Sequence, residues 1–384
     1  MTYYFSLLRN IIILLCLCFF YSCDIGKDEP DSTSISKRTI LLYVIATNDI
    51  SNSLHSDIKE VEQAILNNDI NNCRVLIYLT TFSTEPELYE IIRSNNKISK
   101  KSLKKYDSNI RSTTKQRMSE VIKDVVNLSD SEEYGLVLCS HAWGWSNSLT
   151  TKSKSTISPM SFGIDYGSIM PIDSLAEAIP SGVFDFIYTD ACYMGGIEIA
   201  YELRHKTKYY IGSVAEVHAD GMDYTNNIPC FLANVVNLKE VCENTFNKYN
   251  NQTGTSQTCT ISLVDCSKLD YLAQLCKEIH NNGTIITDFS SIQTYKRTEP
   301  FLFYDFAQYT KLLATEQQKT AFDILMAETV LYKAATPKIF NKLIINPAYY
   351  SGLSTYIIGT TSPTGENETY YKTLAWYKDV ISKQ

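Results

Sequence analysis

Five apolar runs alternate with segments of helical periodicity between residues 39 and 214, and this alternation restricts the folds that the chain can adopt. The runs cover residues 39–47, 74–81, 134–140, 184–189 and 208–214, and the helical segments cover 54–66, 113–128, 171–179 and 197–204. Runs with little polar interruption are typical of strands that are buried on both faces of a parallel sheet. Because strands alternate with helices, the sequence predicts an α/β fold with a mainly parallel sheet.

The alternation weakens after about residue 225. We expect a strand at 259–264, a helix at 267–279, a helical region at 301–331, a late strand at 352–358 and a terminal helix at 370–382. The polar segment 145–162 lacks apolar periodicity and predicts a surface loop that is exposed enough to be cut. A dense basic cluster is interpreted as a solvated loop or helix end rather than a binding patch. This cluster consists of Lys100, Lys101, Lys104 and Lys105.

The composition limits the partners and cofactors of the chain. Its 384 residues carry a formal charge of −7 without a basic stripe, so no nucleic-acid partner is expected. The 11 cysteines include no CxxC pair, and we predict no metal site and no required cofactor. Seven of the cysteines, an odd number with irregular spacing, are expected to be buried thiols rather than a disulfide framework. They are Cys73, Cys139, Cys230, Cys242, Cys259, Cys266 and Cys276.

The N-terminus resembles a bacterial lipoprotein signal. Arg9 precedes an apolar run at 11–20, which is shorter than the roughly 20 residues of a transmembrane helix. Because the small Ser22 precedes Cys23, residues 1–22 are predicted to be a signal peptide and Cys23 to carry a lipid. Residues 23–37 predict a flexible tether whose acidic cluster resembles the surface-export signal of Bacteroidetes lipoproteins. We therefore expect an exported lipoprotein at the outer membrane or cell surface; an uncleaved anchor helix is the alternative.

Two of the apolar runs end at a reactive side chain within a turn. His141 follows one run, and Cys192 follows the other. Ligands bind outside the carboxyl ends of strands in open α/β sheets, so neighbouring strands would bring both side chains to one cleft. A thiol beside an imidazole is the arrangement of a cysteine nucleophile and its base. The alternatives are a buried structural cysteine and a loop histidine that binds backbone, and His218 is the one serious rival as base.

Other residues near these strand ends suit the same chemistry. The backbone N–H groups of Ala142 and Cys192 are candidate donors for an oxyanion hole. Trp143 and Trp145 follow His141, and their rings either wall a cleft or pack in the core.

Several carboxylates predict a negatively charged pocket beside the nucleophile. Asp190 lies two residues before Cys192 and would share a face with it on a strand. A carboxylate in that position would select a cationic side chain of the substrate. Hydrogen bonding of Asp190 to the neighbouring turn is the alternative. Glu216, Asp220 and Asp223 follow the next run and would add to the same pocket.

Together these motifs resemble the clostripain-like cysteine peptidases, family C11 of the caspase-fold clan. The similarity extends from about residue 38 to residue 379. The matching segments are 140–145 (SHAWGW), 162–165 (FGID), 185–187 (DFI), 190–195 (DACYMG), 198–204 (EIAYELR) and 221–224 (GMDY).

The resemblance implies a caspase-like α/β/α sandwich with a C-terminal extension. We accordingly expect a catalytic domain at 38–290 and a C-terminal subdomain at 291–384 that packs on it. The resemblance also implies a dyad of Cys192 and His141, and cleavage after Arg or Lys selected by Asp190.

Three further implications concern processing, calcium and one departure. The resemblance implies self-processing in the loop 146–161, where Lys152 and Lys154 are candidate cut sites. Some members of the family depend on calcium, but no local calcium loop is present and no ligands are assigned. The family has glycine after the histidine, whereas this chain has Ala142. Alanine is strained there if its φ is positive and unstrained if its φ is negative.

Three functions remain open at this point. The first is a monomeric, surface-tethered cysteine endopeptidase that cleaves protein or peptide substrates after Arg or Lys. The second is a catalytically weak or inactive surface lipoprotein that binds peptides or glycans. The third is a peptide ligase that uses the same dyad.

Overall fold

The computed structural model describes residues 35–146, 161–284, 286–360 and 366–382. Among them, nine strands form one sheet, and the other strands form three two-stranded pairs. The strands are β1 (Ser36–Ala46), β2 (Cys73–Thr81), β3 (Glu87–Ser94), β4 (Lys97–Lys105), β5 (Ser131–Cys139), β6 (Phe162–Asp165), β7 (Ser168–Met170), β8 (Phe184–Asp190), β9 (Thr207–Gly212), β10 (Thr260–Asp265), β11 (Tyr304–Asp305), β12 (Val330–Ala335), β13 (Lys338–Ile339), β14 (Leu343–Ile344) and β15 (Ser354–Thr355).

The described helices surround the large sheet. They are α1 (Ser51–Asn67), α2 (Lys115–Ser129), α3 (Ile172–Ala178), α4 (Ile197–Glu202), α5 (Tyr224–Leu232), α6 (Leu238–Asn250), α7 (Leu269–His280), α8 (Phe306–Leu313), α9 (Glu316–Thr329) and α10 (Glu366–Tyr371).

The large sheet is parallel at its centre and antiparallel at both edges. Its strand order is β12-β10-β9-β8-β5-β1-β2-β3-β4. The central strands β9, β8, β5, β1 and β2 pair in parallel. At one edge β10 and β12 are antiparallel to their neighbours, and at the other edge so are β3 and β4. The predicted α/β fold with a mainly parallel central sheet is confirmed.

Helices cover both faces of the sheet, and β1 shows why its sequence is apolar without interruption. Leu41 and Tyr43 are buried on one face with residues of α2, α3, α4 and α7. Ile40 and Leu42 are buried on the other face with residues of α1, α5 and α6. Successive side chains of a strand point to opposite faces, so a strand that is covered on both sides needs apolar residues throughout. The predicted α/β/α sandwich follows from these two layers of helices.

The apolar runs of the sequence all form central strands, but the hairpin of β3 and β4 was not predicted. Asn95 and Asn96 connect these two strands with positive φ angles of 50° and 58°. Left-handed residues between two β-segments are the signal of a tight hairpin. The prediction of a loop or helix end is therefore wrong for the basic cluster, because it lies on β4 at the edge of the sheet. The correction concerns Lys100, Lys101, Lys104 and Lys105. Lysines on an edge strand oppose pairing with another chain.

The C-terminal part also differs from the expected pattern. The helical region at 301–331 is divided into α8 and α9, because Thr315 and Gln318 form a capping box that begins α9. The strand expected at 352–358 is limited to the two residues of β15. The terminal helix is divided between α10 and a π-helical turn at Tyr377–Ile381.

Glu198 connects the C-terminal part to the helix that follows Cys192. Its Oε1 accepts hydrogen bonds from the Tyr356 backbone N–H at 2.8 Å and from the Thr355 hydroxyl at 3.0 Å. The Ser354 N–H donates to the Gly195 carbonyl at 3.0 Å. Burial raises the pKa of Glu198 to about 7. These contacts fix β15 against the turn that carries Cys192.

Ser36–Gln384 form one compact unit. The boundary between a catalytic domain and a C-terminal subdomain at residue 290 stays a prediction. The predicted signal peptide at 1–22 and most of the tether at 23–37 lie outside the described residues. Within the part of the chain that the structure describes, no helix is long and apolar enough to cross a membrane.

Candidate active site

His141 and Cys192 follow strands that lie side by side. β5 and β8 pair in parallel, and Cys139 is opposite Asp190 in their register. His141 comes two positions after Cys139, and Cys192 comes two positions after Asp190. Both side chains therefore lie beyond the same carboxyl edge of the sheet, as the sequence predicted for neighbouring strands.

A cavity of about 230 Å³ lies at this edge. Its walls come from the segments that follow β1, β5, β8 and β9, and from one residue of the C-terminal part. The lining residues are Ile50, Leu54, Asp57, Ser140, His141, Asp190, Ala191, Cys192, Val217, His218, Ala219, Gly221 and Phe340. The chain continues from β1 to β2 on one side, whereas β5 lies on the other side. This reversal is the topological switch point at which open α/β sheets bind ligands.

The Cys192 thiol is held by the segment after β9. Its Sγ accepts a hydrogen bond from the Val217 N–H at 3.3 Å. Burial raises the pKa of this thiol to about 12, and the negative charges of Glu216 and Asp190 act in the same direction. The Val217 hydrogen bond and the Arg297 charge oppose this rise without cancelling it. The thiol is therefore protonated at neutral pH in this state.

The turn after Cys192 has a strained residue. Tyr193 has a φ of 60°, in the left-handed region that bulky residues rarely adopt. Its ring stacks on Phe303 with 4.7 Å between centroids, which helps to hold this conformation. Gly144 after His141 has a φ of 66°, and a Cβ there would lie 2.7 Å from the Tyr193 carbonyl oxygen. The turn after the histidine thus needs glycine because it touches the turn after the cysteine.

The imidazole of His141 is oriented by Asp49, which the sequence analysis missed. His141 Nε2 and Asp49 Oδ1 are 2.7 Å apart. This hydrogen bond lowers the pKa of Asp49. The loop that carries Asp49 is fixed by Asn48, whose Nδ2 donates to the Ile45 carbonyl at 2.9 Å and to Ser140 Oγ at 3.2 Å. The position of Asp49 beside His141 therefore depends on the contact between Asn48, after β1, and Ser140, after β5.

The rival histidine also lies at the cavity. The His218 ring stacks on Phe340 with 6.2 Å between centroids, and its Nδ1 lies 3.4 Å from Asp220 Oδ2. His55 and His280 instead bond to carbonyl groups of their own helices. The cavity therefore contains two imidazoles, of which only His141 ends a central strand.

Asp190 lines the cavity and is also bound by the neighbouring turn. Its Oδ2 accepts hydrogen bonds from the Tyr224 hydroxyl at 2.7 Å and from the Met222 N–H at 3.0 Å. Burial raises the pKa of Asp190, and these two bonds oppose the rise. Asp190 therefore lines the pocket and also accepts hydrogen bonds from the neighbouring turn. These two roles were predicted as alternatives.

Four other residues that were predicted for the pocket do not line this cavity. Asp223 caps α5, where its Oδ1 accepts a hydrogen bond from the Asn226 N–H at 3.2 Å. Glu216 forms a two-pronged ion pair with Arg297, in which Nη2 and Oε1 are 2.6 Å apart. Asp220 is an exposed partner of His218. The Trp143 ring lies 5.7 Å from that of His141.

The second tryptophan belongs to the core. Trp145 is fully buried, and its ring packs against Tyr356 and Tyr371 at centroid distances of 4.8 and 5.0 Å.

Ala142 is accommodated without backbone strain. It is buried beside Phe162 and does not have a positive φ. Alanine in place of the family's glycine therefore causes no strain, because φ at this position is not in the left-handed region.

Some predicted residues lie outside the described part of the chain. These are Cys23, Lys152 and Lys154. The described cysteines are all free thiols. The seven that were expected to be buried are so except Cys230, which is half-buried. Among the described residues, no group of three or more His, Cys, Asp or Glu side chains is arranged to hold a metal ion.

Comparisons with known proteins identify related sequences and folds. The sequence profile of the clostripain family matches residues 42–375. The fold is similar to that of an inactive zymogen of a C11 protease from Parabacteroides distasonis, with a TM-score of 0.79 and 29% identity, over 91% of this chain and 99% of that chain. It is also similar to a secreted C11 cysteine protease from Bacteroides thetaiotaomicron, with a TM-score of 0.79 and 24% identity, over 90% of this chain and 100% of that chain. No match was found among curated proteins.

A structure of a secreted C11 cysteine protease from Bacteroides thetaiotaomicron in complex with an irreversible peptide inhibitor has a similar fold. Its TM-score is 0.77 at 24% identity, over 90% of this chain and 99% of that chain.

Alkylation of Cys192 in the full-length chain should be slow at pH 7 and should accelerate as the pH rises toward 10. The reason is that only the thiolate reacts, and the thiol has a pKa of about 12 in this state. Mass spectrometry of the peptide that contains Cys192, after timed exposure to iodoacetamide, measures the rate, and Cys192→Ser verifies the assignment. A rate that is already maximal at pH 7 would contradict the raised pKa.

Proposed function

The chain belongs to the clostripain family of cysteine peptidases, and on that premise we propose that it is an endopeptidase that cleaves after Arg or Lys. Cys192 is the nucleophile, and His141 is the base. The observation that carries this proposal is the single cavity that contains the thiol, the imidazole and the buried carboxylate of Asp190. The hydrogen bonds from Tyr224 and Met222 hold that carboxylate in one position, where it can receive a cationic side chain.

The bond between His141 and Asp49 determines which nitrogen acts as the base. A neutral imidazole that donates from Nε2 to a carboxylate has its lone pair on Nδ1. Nδ1 accepts the proton of the Cys192 thiol, and the thiolate attacks the carbonyl carbon of the scissile bond. Asp49 thus positions the base without contacting the substrate.

The remaining steps return the enzyme to its starting state. The N–H groups of Cys192 and Ala142 stabilise the oxyanion of the tetrahedral intermediate. The carbon–nitrogen bond breaks as the imidazolium of His141 gives its proton to the leaving amine, which leaves a thioester. Water then attacks the thioester while His141 accepts its proton, and the carboxylate product leaves as the thiol forms again.

We further infer that the chain is synthesised as a precursor, in which Glu216 is paired with Arg297 of the same chain. The related protein from Parabacteroides distasonis is described as an inactive zymogen. We infer that cleavage after Lys152 or Lys154, in the loop 146–161, converts the chain to its active form.

We further propose that the mature protein is a monomer tethered by a lipid on Cys23 at the outer membrane or cell surface, where it meets protein and peptide substrates. The Ser22-Cys23 pair and the polar tether support this location. The related protein from Bacteroides thetaiotaomicron is described as secreted.

Hydrolysis of fluorogenic peptides tests the specificity. The processed protein should cleave after Arg or Lys and not after neutral residues, and Cys192→Ala should abolish this activity. Asp190→Asn should lower kcat/KM for basic substrates by about 10- to 100-fold, because it removes the negative partner of the cation. Failure to cleave any basic substrate would contradict the proposal and favour a lipoprotein that only binds peptides or glycans.

Substitution of the histidines and of Asp49 tests the assignment of the base. His141→Ala should lower kcat by about 100- to 10,000-fold, the usual contribution of a general base. Asp49→Asn should lower kcat with little change in KM, because it misorients the imidazole and leaves the binding pocket intact. Steady-state kinetics on an Arg substrate measures both effects. A larger loss of kcat in His218→Ala than in His141→Ala would assign the base to His218.

Replacement of the loop lysines tests self-processing. The double variant Lys152→Ala/Lys154→Ala should remain a single chain, because neither position then offers a basic side chain to the acidic pocket. Cys192→Ala should also remain uncut, but it should be cut in trans by wild-type enzyme. Gel electrophoresis and mass spectrometry of the fragments distinguish these outcomes, and cleavage of the double variant at its usual position would disprove this site.

A further inference from the structure

Asp57 is a buried carboxylate on the cavity side of α1. The buried face of this helix is otherwise apolar, with Leu54, Ile58 and Val61 on the same stripe. Asp57 is 4% exposed and lines the cavity together with Asp190 and Cys192. Its Oδ2 has no hydrogen-bond partner among the described residues. A carboxylate without a partner is unfavourable in such a position, and this points to a ligand that supplies the missing donors.

The two carboxylates converge on one point of the cavity wall. A Cβ placed on Gly221 would lie 2.4 Å from Asp190 Oδ2 and 3.2 Å from Asp57 Oδ2. Gly221 has a φ of 57°, so the backbone and the space both require glycine there. The absence of a side chain at Gly221 leaves room between the oxygens of α1 and of β8.

The charged groups around Asp57 do not offset the cost of burying its carboxylate. Asp190, Glu60 and Asp220 lie on β8, on α1 and in the segment before α5, and all three are negative. Lys248 of α6 is the cation that acts on this group. Its Nζ lies 3.8 Å from Glu60 Oε2 and donates to the carbonyl groups of Asp220 at 2.9 Å and Met222 at 3.0 Å, so its donors are directed to these groups.

Burial is the main cause that raises the pKa of Asp57 to about 9, and the charges of Asp190, Glu60 and Asp220 add to the rise. Lys248 opposes it only in part. A cation that entered the cavity would favour ionised Asp57 and Asp190 together.

We propose that Asp57 is a second specificity-determining carboxylate, which binds the guanidinium or ammonium group of the substrate opposite Asp190. This inference rests on the proposed cleavage after basic residues and adds a residue from a different element. A guanidinium has five N–H donors in a rigid fork, enough to bond two carboxylates at once. The substrate cation thereby supplies the donors that Asp57 lacks in the chain itself.

Kinetics on a matched pair of substrates test this inference. The pair consists of one fluorogenic peptide with Arg and one with citrulline, which has the same shape without the charge. Asp57→Asn, prepared in the full-length chain and processed, should raise KM for the Arg peptide by about 10- to 100-fold, the usual effect of losing a charged hydrogen bond. Its kcat should change by only a few-fold, and its slow hydrolysis of the citrulline peptide should be unchanged.

Glu60→Gln is the matched control. Glu60 lies on the same helix and undergoes the same change from a carboxyl to an amide, but it does not line the cavity. It should retain the preference of the wild type for Arg over citrulline. An equal loss of preference in Glu60→Gln, or an unchanged preference in Asp57→Asn, would overturn the role of Asp57. A wild type that shows no preference for Arg would instead refute the proposed function itself.

Thermal stability separates a binding role from a structural one. The pKa of Asp57 is higher in the folded chain than in the unfolded chain, so its contribution to stability is present below about pH 4 and is lost as the pH rises toward 9. The asparagine in Asp57→Asn cannot ionise, so the variant does not lose this stability. The Tm of the variant minus the Tm of the wild type should therefore increase from pH 5 to pH 8. A Tm difference that stays the same from pH 5 to pH 8 would show that the free chain does not bury an unpaired Asp57 carboxylate, and would contradict the proposal.

Discussion

The parallel pairing of β1, β5 and β8 is the constraint on which the rest of the site depends. Val44 of β1 is opposite Cys139 of β5, which is opposite Asp190 of β8. This register brings three strand ends to one edge of the sheet, where the chain continues from β1 to one side and from β5 and β8 to the other. The contact of Asn48 with Ser140 joins the first two ends. A shift in either pairing would separate the base, the nucleophile and the carboxylates.

The cavity concentrates groups that are costly to bury. Cys192, Asp57 and Asp190 all have a raised pKa, with burial as the largest cause, so the ionised form of each is costlier here than in water. A core optimised for stability alone would contain apolar side chains in these positions. The strained Tyr193 beside the nucleophile adds to the cost. Such local costs are typical of sites that bind a complementary charge, and they make function and stability compete at the same residues.

The sequence revealed the parts of the site that lie close to recognisable strand ends. His141, Cys192 and Asp190 follow from the apolar runs, because a buried strand predicts where its carboxyl end lies. Asp49 also follows an apolar run, but the pairing of that strand with the strand of His141 is a property of the sheet and is not visible in the chain. Asp57 lies on a helix and follows no strand end. One local signal was available, because Asp57 interrupts the apolar stripe of α1. Glu216 was proposed for the pocket from its proximity to β9, whereas Arg297, far away in sequence, engages it.

The rate at which an electrophilic peptide labels Cys192 measures whether the cavity beside the nucleophile is a pocket for a cation. Two otherwise identical peptidyl electrophiles, one ending in Arg and one in citrulline, would be compared on the processed protein by mass spectrometry of the Cys192 peptide. We expect much faster labelling by the Arg reagent, and excess free Arg peptide should slow that labelling. Equal rates for the two reagents would show that the cavity does not select a cation.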